Sequence, residues 1–429
     1  MKIYLKKWSF KMNIIIHRGT HQIGGSCIEL STQNTRIIFD VGQELLSIDD
    51  IELVNRQKKI SVPGLFNDTE KNVDALFISH YHGDHIGLLG EVCKNIPVFM
   101  GEKAARIFNT TALFINSKIF VNPAEYLVNG QEIVVGDFSI TPYLIDHSAF
   151  DAYAFVIRGE GKCVVYTGDL RAHGNKQNIM KAFLKQLPSD IDALIVEGTI
   201  MSRLTEKVKT EAQIGQEAED FMRIYNRPIF VLQSSTNIDR LVQMYKAARH
   251  TKRLFIMDIF TAHIVSQLGS SIPNPRTFKD IRVFYPFYLT RRMFSKSNSS
   301  KIMRKFSRYR ISAEELSNRK DYCMLIRDSM LFDLDKRIRN IEDAGLIYSM
   351  WNGYIKSARM QRLMNFVGSK NMEVIYLHTS GHADVETVKR ISRACRPQLI
   401  IPVHTEYPER FREIFNNAII INDRQLLSI

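Results

Sequence analysis

The stretch that most constrains this chain is His80-Tyr81-His82-Gly83-Asp84-His85, which follows the apolar run Ala75-Leu76-Phe77-Ile78. A short apolar run bounded by polar residues reads as a buried strand, so the motif falls where a strand leaves its sheet. In extended backbone, residues two apart share a face, and His80 and His82 can bind one metal together. Asp84 and His85 lie where the chain turns and can reach toward a second. Borderline-soft imidazole combined with hard carboxylate suits zinc, and manganese accepts the same donors. The motif therefore points to a metal-dependent hydrolytic site at a sheet edge.

Two metals need more donors than one turn supplies. Further strand ends offer them: His147 after Tyr143-Leu144-Ile145, Asp169 after Val164-Val165-Tyr166, and His404 after Leu399-Ile400-Ile401-Pro402-Val403. The same rule recurs each time, an apolar run and then a ligand.

In this order the motifs resemble those of the metallo-β-lactamase superfamily. The nearer resemblance is to its β-CASP nucleases, whose motifs A, B and C are similar to Val196-Glu197-Gly198-Thr199, His378-Thr379-Ser380-Gly381-His382-Ala383 and Pro402-Val403-His404-Thr405-Glu406. The opening residues 17–27 and Ile38-Phe39-Asp40-Val41-Gly42 also look like this group. The resemblance implies an α/β fold, an αββα sandwich with the metals at one edge and an inserted α/β cap domain. It further implies that His80, His82 and His147 hold one zinc ion, that Asp84, His85 and His404 hold a second, and that Asp169 bridges them. Asp40 would orient a ligating imidazole from behind. Two ions about 3.5–4 Å apart share a hydroxide in such sites, which makes Asp84 part of the catalytic set.

His382 is expected to protonate the leaving oxygen, because histidine titrates near neutrality. Glu197 would keep it charged. His378, Ser380 and Asn237 are expected against the substrate. Asn237 lies in the segment 233–240, where a helix N-terminus offers backbone N–H groups to phosphate. The implied activity is hydrolysis of RNA phosphodiesters, from a 5′ end or internally, with single-stranded RNA as the partner. His404 at motif C is the mark of the RNA-directed members of the group. The alternative is a metallohydrolase of a small ester, lactone or cyclic phosphate, which needs only the metal ligands.

Composition fits a polyanionic partner, since 58 Lys+Arg against 45 Asp+Glu give a formal charge of +13. No acid interrupts Arg291, Arg292, Lys296, Lys301, Arg304, Lys305, Arg308 and Arg310, and Phe294, Phe306 and Tyr309 interleave with them. Surfaces that stack bases look like this. A solvated helix face beside the serine-rich loop 295–300 is the other reading.

At 429 residues the chain is long enough for a two-part body. Its first third reads as short strands, whereas 211–225 and 237–249 read as helices around a strand at 228–232, so a parallel sheet follows. These patterns place the first part of a metallo-β-lactamase domain at 12–204, the inserted domain at 205–362 and the return segment at 363–429. The return is expected to carry strands at 374–377 and 399–401. No apolar run reaches membrane-spanning length, the basic residues 1–11 lack the apolar core of a secretory signal, and five scattered cysteines argue against a disulfide framework. A cytoplasmic setting without membrane contact is expected.

Overall fold

A computed structural model describes residues 11–45, 60–66, 72–203, 208–294 and 299–429. The strands β1 (Asn13–Arg18), β2 (Cys27–Ser31), β3 (Arg36–Phe39), β4 (Ala75–Phe77), β5 (Val98–Gly101) and β6 (Glu125–Leu127) form most of a first sheet. A second is built from β7 (Ile133–Val135), β8 (Phe138–Ile145), β9 (Ala152–Gly159), β10 (Lys162–Tyr166) and β11 (Ala193–Glu197). A third contains β12 (Ile229–Leu232), β13 (Leu254–Asp258), β14 (Ile281–Phe284), β15 (Arg310–Ile311), β16 (Tyr322–Ile326), β17 (Gly345–Tyr348) and β18 (Glu373–Tyr376). The chain then returns, β19 (Leu399–Val403) pairing with β11 and β20 (Leu426–Ser428) with β1.

Alternation decides which face each side chain joins. In β3, Ile37 and Phe39 point into the layer between the first two sheets, while Ile38 joins the core on the opposite face. In β11, Ala193 and Ile195 face that shared layer, and Leu194 and Val196 face the helices Gln177–Gln186 and Val385–Cys395 outside it. Phe39, Phe77, Phe99 and Phe155 interlock at the centre, with the Phe77 and Phe99 rings 4.7 Å apart. Each such side chain contributes about 1.5–3 kcal/mol on burial. The result is the αββα sandwich that the motifs implied.

The third sheet is parallel throughout. Its strand β12, Ile-Phe-Val-Leu, is apolar at every position because helices cover both faces. The expected helices occur as Glu211–Ile224 and Ile238–His250. The first opens with a capping box between Thr210 and Gln213, and the second with Asn237, whose side chain accepts from the Arg240 N–H.

Two expectations fail. Residues 374–377 do not rejoin the sandwich, because β18 pairs in parallel with β17 in the third sheet. An apolar run announces a buried strand but not its sheet, so we place the return of the chain after Leu377 rather than at 363. The expected boundary at 204/205 lies outside the described residues. The basic run also differs from a stacking surface. Lys301, Arg304 and Lys305 are exposed along the helix Ser299–Phe306, whereas Met303 and Phe306 on its inner side are buried. Helical spacing therefore takes Phe306 out of reach of any base, and Lys296 with the loop around it lies outside the described residues.

The sandwich and the third sheet are joined by a buried ion cluster. Arg171, one loop beyond β10, donates to Glu211 at 3.0 Å, Asp239 at 2.7 Å and Asp146 at 3.3 Å, and Arg240 donates to Glu211 at 2.7 Å. Burial opposes the charge on Glu211, but Arg240 and Arg171 outweigh it and hold its carboxyl down to about 2. A carboxyl whose folded pKa lies below its unfolded value stabilises above the unfolded value. Thermal stability is therefore expected to fall as pH drops below about 4.5 toward 2, and a flat melting-temperature profile across that window would count against the cluster as a stabilising element. All five cysteines are free, and no helix among the described residues is long and apolar enough to cross a membrane.

Candidate active site

The sequence His80–His85 leaves the end of β4 and turns into the short helix Gly83–Ile86. Backbone bonds clamp the turn: Ser26 N–H donates to Asp84 O at 3.0 Å, Gln43 N–H to Gly83 O at 2.9 Å and Val41 N–H to His85 O at 2.7 Å. Gly42 makes this approach possible, since a Cβ there would lie 1.7 Å from the Asp84 carbonyl oxygen. β8 delivers His147, β10 delivers Asp169 and β19 delivers His404 to the same edge. The three sequence-distant ligands thus meet the motif through strand order alone.

Nitrogens of His80, His82 and His147 form one group, and donors of Asp84, His85, Asp169 and His404 form another, each within 4.8 Å of one another. Hydrogen bonding fixes the rings. His147 Nδ1 lies 2.7 Å from the carbonyl of Gly381, which only accepts, so Nδ1 carries the proton and Nε2 faces the cluster. His85 Nδ1 donates to Asp40 at 2.8 Å, which aims Nε2 at Asp169, 3.1 Å away. Asp40 is fixed in turn by the Ser79 N–H and hydroxyl and by the Tyr166 hydroxyl, at 2.7, 2.8 and 2.7 Å.

The chemistry of these donors fits a divalent metal. His80 Nε2 and Asp169 Oδ1 are buried and have no hydrogen-bond partner among the described residues, which is costly unless a cation takes them. Burial, then repulsion among the rings, holds His80 and His147 well below the usual histidine range, and burial brings His82 down to about 4. Neutral imidazole is the ligating form. Asp169 lies well below the carboxylate range, because His404, His85 and His382 outweigh its burial.

Beside the second group stand Glu197 and His382. Glu197 Oε2 accepts from His382 Nδ1 at 3.0 Å, while Oε1 accepts the N–H groups of Leu170 at 2.9 Å and Ala383 at 3.3 Å. Burial disfavours the imidazolium, yet Glu197 and then Asp169, at 3.6 Å, push His382 up to about 9. Thr199 is a participant that sequence reasoning left out of the site. Its hydroxyl donates to Glu197 at 2.7 Å, accepts from His404 Nδ1 at 2.9 Å and lies 3.1 Å from His382 Nδ1, so it touches both rings. Its place in Glu197-Gly198-Thr199 was the available signal; Ser79 and Tyr166 carried none.

The residues expected against substrate are more dispersed in their contacts. Ser380 Oγ accepts the His382 N–H at 3.1 Å, and its carbonyl accepts from His173 at 2.7 Å and Arg171 at 3.3 Å. Asn237 uses its side-chain oxygen to cap a helix, accepting from Arg240 N–H at 3.1 Å. His378 is exposed.

A two-sheet sandwich with donors gathered at one edge is the metallo-β-lactamase architecture. Residues 35–226 match the model of the β-lactamase superfamily domain, and residues 369–413 match that of the Zn-dependent metallo-hydrolase RNA specificity domain. Ribonuclease J 2 of Streptococcus pyogenes is 20% identical over 79% of this chain and 60% of its own length. Ribonuclease J of Helicobacter pylori is 20% identical over 91% of this chain and 55% of its own. Ribonuclease J of Pyrococcus abyssi is 22% identical over 91% and 88%. Together the two matched models and these relatives indicate the metallo-β-lactamase superfamily and its β-CASP, ribonuclease J-like group. It spans 60%, 45% and 59% of three of the curated relatives it matches. A solved protein of unknown function from Enterococcus faecalis has the same fold, with a TM-score of 0.79 and 22% identity over 98% of this chain and 100% of that one.

Proposed function

We propose that the chain is a metal-dependent ribonuclease that hydrolyses phosphodiester bonds of single-stranded RNA with two zinc ions, from a 5′ end or internally. The carrying observation is the Glu197–His382 pair, 3.0 Å apart and in contact with the same cluster as Asp169 and His404. A charged proton donor beside metal ligands serves a leaving alkoxide, and the opening of an activated ester or lactone has less need of it. The match of 369–413 to an RNA specificity domain supports RNA as substrate, as do the names of the relatives.

His80, His82 and His147 would hold one ion, Asp84, His85 and His404 the other, with Asp169 between them. When bound, such ions act as Lewis acids and supply a water nucleophile at neutral pH. His382 commits Nδ1–H to Glu197, so the proton for the leaving oxygen is the one on Nε2. Its raised pKa keeps that proton in place at neutrality. Positive charge bound by the adjacent ligands lowers the value again, because like charge disfavours the imidazolium. Asp40, Thr199 and Gly381 act through the imidazoles they orient.

The test is denaturing-gel analysis of a 5′-monophosphorylated, 3′-labelled single-stranded RNA incubated with zinc- or manganese-loaded protein and with Asp84→Ala. Fragments from the wild type alone are expected, and a 5′-labelled copy separates mononucleotide release from internal cuts. A folded, metal-loaded protein that leaves RNA intact while hydrolysing small esters, lactones or cyclic phosphates would overturn the reading.

A further inference from the structure

The third sheet ends, on the side of the metal cluster, in aromatic residues that the site above does not use. β17 and β18 lie side by side, and the chain passes from Tyr376 at the end of β18 through Leu377 into the turn that carries His382. Beyond β17 comes Met350-Trp351-Asn352-Gly353-Tyr354. Trp351, Tyr354 and Tyr376 are all exposed, at 51%, 48% and 51%. Trp351 and Tyr354 touch each other, and exposed aromatics that form a contiguous surface mark a binding site more than scattered ones do.

These rings are held rather than loose. The Trp351 and Tyr354 rings meet edge to face, 5.5 Å apart at 89°, and the Tyr376 ring rests 5.5 Å from Tyr348. The Tyr354 N–H donates to Trp351 O at 3.1 Å, and the Tyr348 hydroxyl donates to the same carbonyl at 3.2 Å. Gly353 lets the indole lie on the backbone of its own turn, since a Cβ there would fall 2.1 Å from Trp351 Cζ3. A platform fixed in this way spends little ordering entropy when a flat ligand arrives. Lys356 is exposed in the same short helix, Asn352–Lys356, and adds a cation beside the rings.

We propose that Trp351, Tyr354 and Tyr376 form a stacking step for unpaired nucleobases of an RNA whose phosphate lies at the metal cluster. The proposal rests on the ribonuclease reading and names the residues that would hold the strand. Every base has a π-face, so such a step binds single strands with little regard to sequence. Phe306 in the run 291–310 is buried and offers no such face.

The sequence contains two tryptophans, Trp8 and Trp351, so a Trp8→Phe substitution leaves Trp351 as the only indole emitter. The test uses zinc-loaded full-length Trp8→Phe/His382→Ala protein, which keeps every proposed ligand, titrated with oligouridylate and with an abasic oligonucleotide of equal length and charge. Oligouridylate is expected to quench Trp351 emission and to bind more tightly than the abasic strand. Adding Trp351→Ala should weaken oligouridylate binding by about 5- to 150-fold, the range for one stacked base, with little change for the abasic strand. Trp351→Phe should restore most of the affinity and guards against a folding defect. Equal affinity for both strands with unchanged emission, in a protein whose parent cleaves RNA, overturns the stacking step alone. Failure to bind either strand, in a protein whose parent leaves RNA intact, overturns both readings.

Discussion

Replacing His382 with alanine is expected to slow RNA cleavage by about 10²–10⁴-fold, the usual contribution of a positioned general acid, while zinc content stays that of the wild type. The expectation follows from the engagement of its Nδ1 by Glu197 at 3.0 Å and the Thr199 hydroxyl at 3.1 Å, which leaves the other nitrogen for the substrate. Glu197→Gln should have a smaller effect with a distinct signature. Without the carboxylate the imidazolium is less favoured, so the alkaline limb of the rate profile moves to lower pH. A His382→Ala protein that cleaves at the wild-type rate would remove this residue from the reaction.

Arg171→Met is expected to cost about 3–5 kcal/mol of stability, as removal of one partner from a buried ion pair does. The guanidinium is fully buried and serves Asp146, Glu211 and Asp239 together, as well as the Ser380 carbonyl. Its loss leaves three carboxylates facing Arg240 and Lys176 alone in the interior. The same bonds tie the loops carrying His147, Asp169 and His382 to the helices Glu211–Ile224 and Ile238–His250, so RNA cleavage should fall further than the melting temperature explains. Urea denaturation of wild type, Arg171→Met and Arg171→Lys measures the first part, and cleavage well below the melting transition measures the second. Unchanged midpoints in all three proteins would show that the cluster is dispensable.

Much of the candidate site was legible because its donors follow strands. His80 and His82 share a face by the two-residue period, and His147, Asp169 and His404 each come just after an apolar run that forms a buried strand. The supporting residues were less visible. Arg171 meets Glu211 and Asp239 across 40 and 68 positions, and Thr199 meets His404 across 205. No local pattern encodes such a meeting. Phe306 was misread for a different reason: an interleaved list of bases and aromatics ignores the helical period, which turns Lys301, Arg304 and Lys305 outward and Phe306 in.

The sequence by itself pointed to the histidines and aspartates that gather at the sheet edge, to the alternation that makes a two-faced sandwich and to the parallel third sheet, because each leaves a pattern along the chain. Tertiary structure alone decided that residues 374–377 join the third sheet, that Thr199 meets the His404 ring, and that Trp351 and Tyr354 stand exposed. Those outcomes depend on which distant surfaces meet in three dimensions. Hydrogen-bond partners and exposure are properties of packing between segments, and a run of residues carries only one side of each contact.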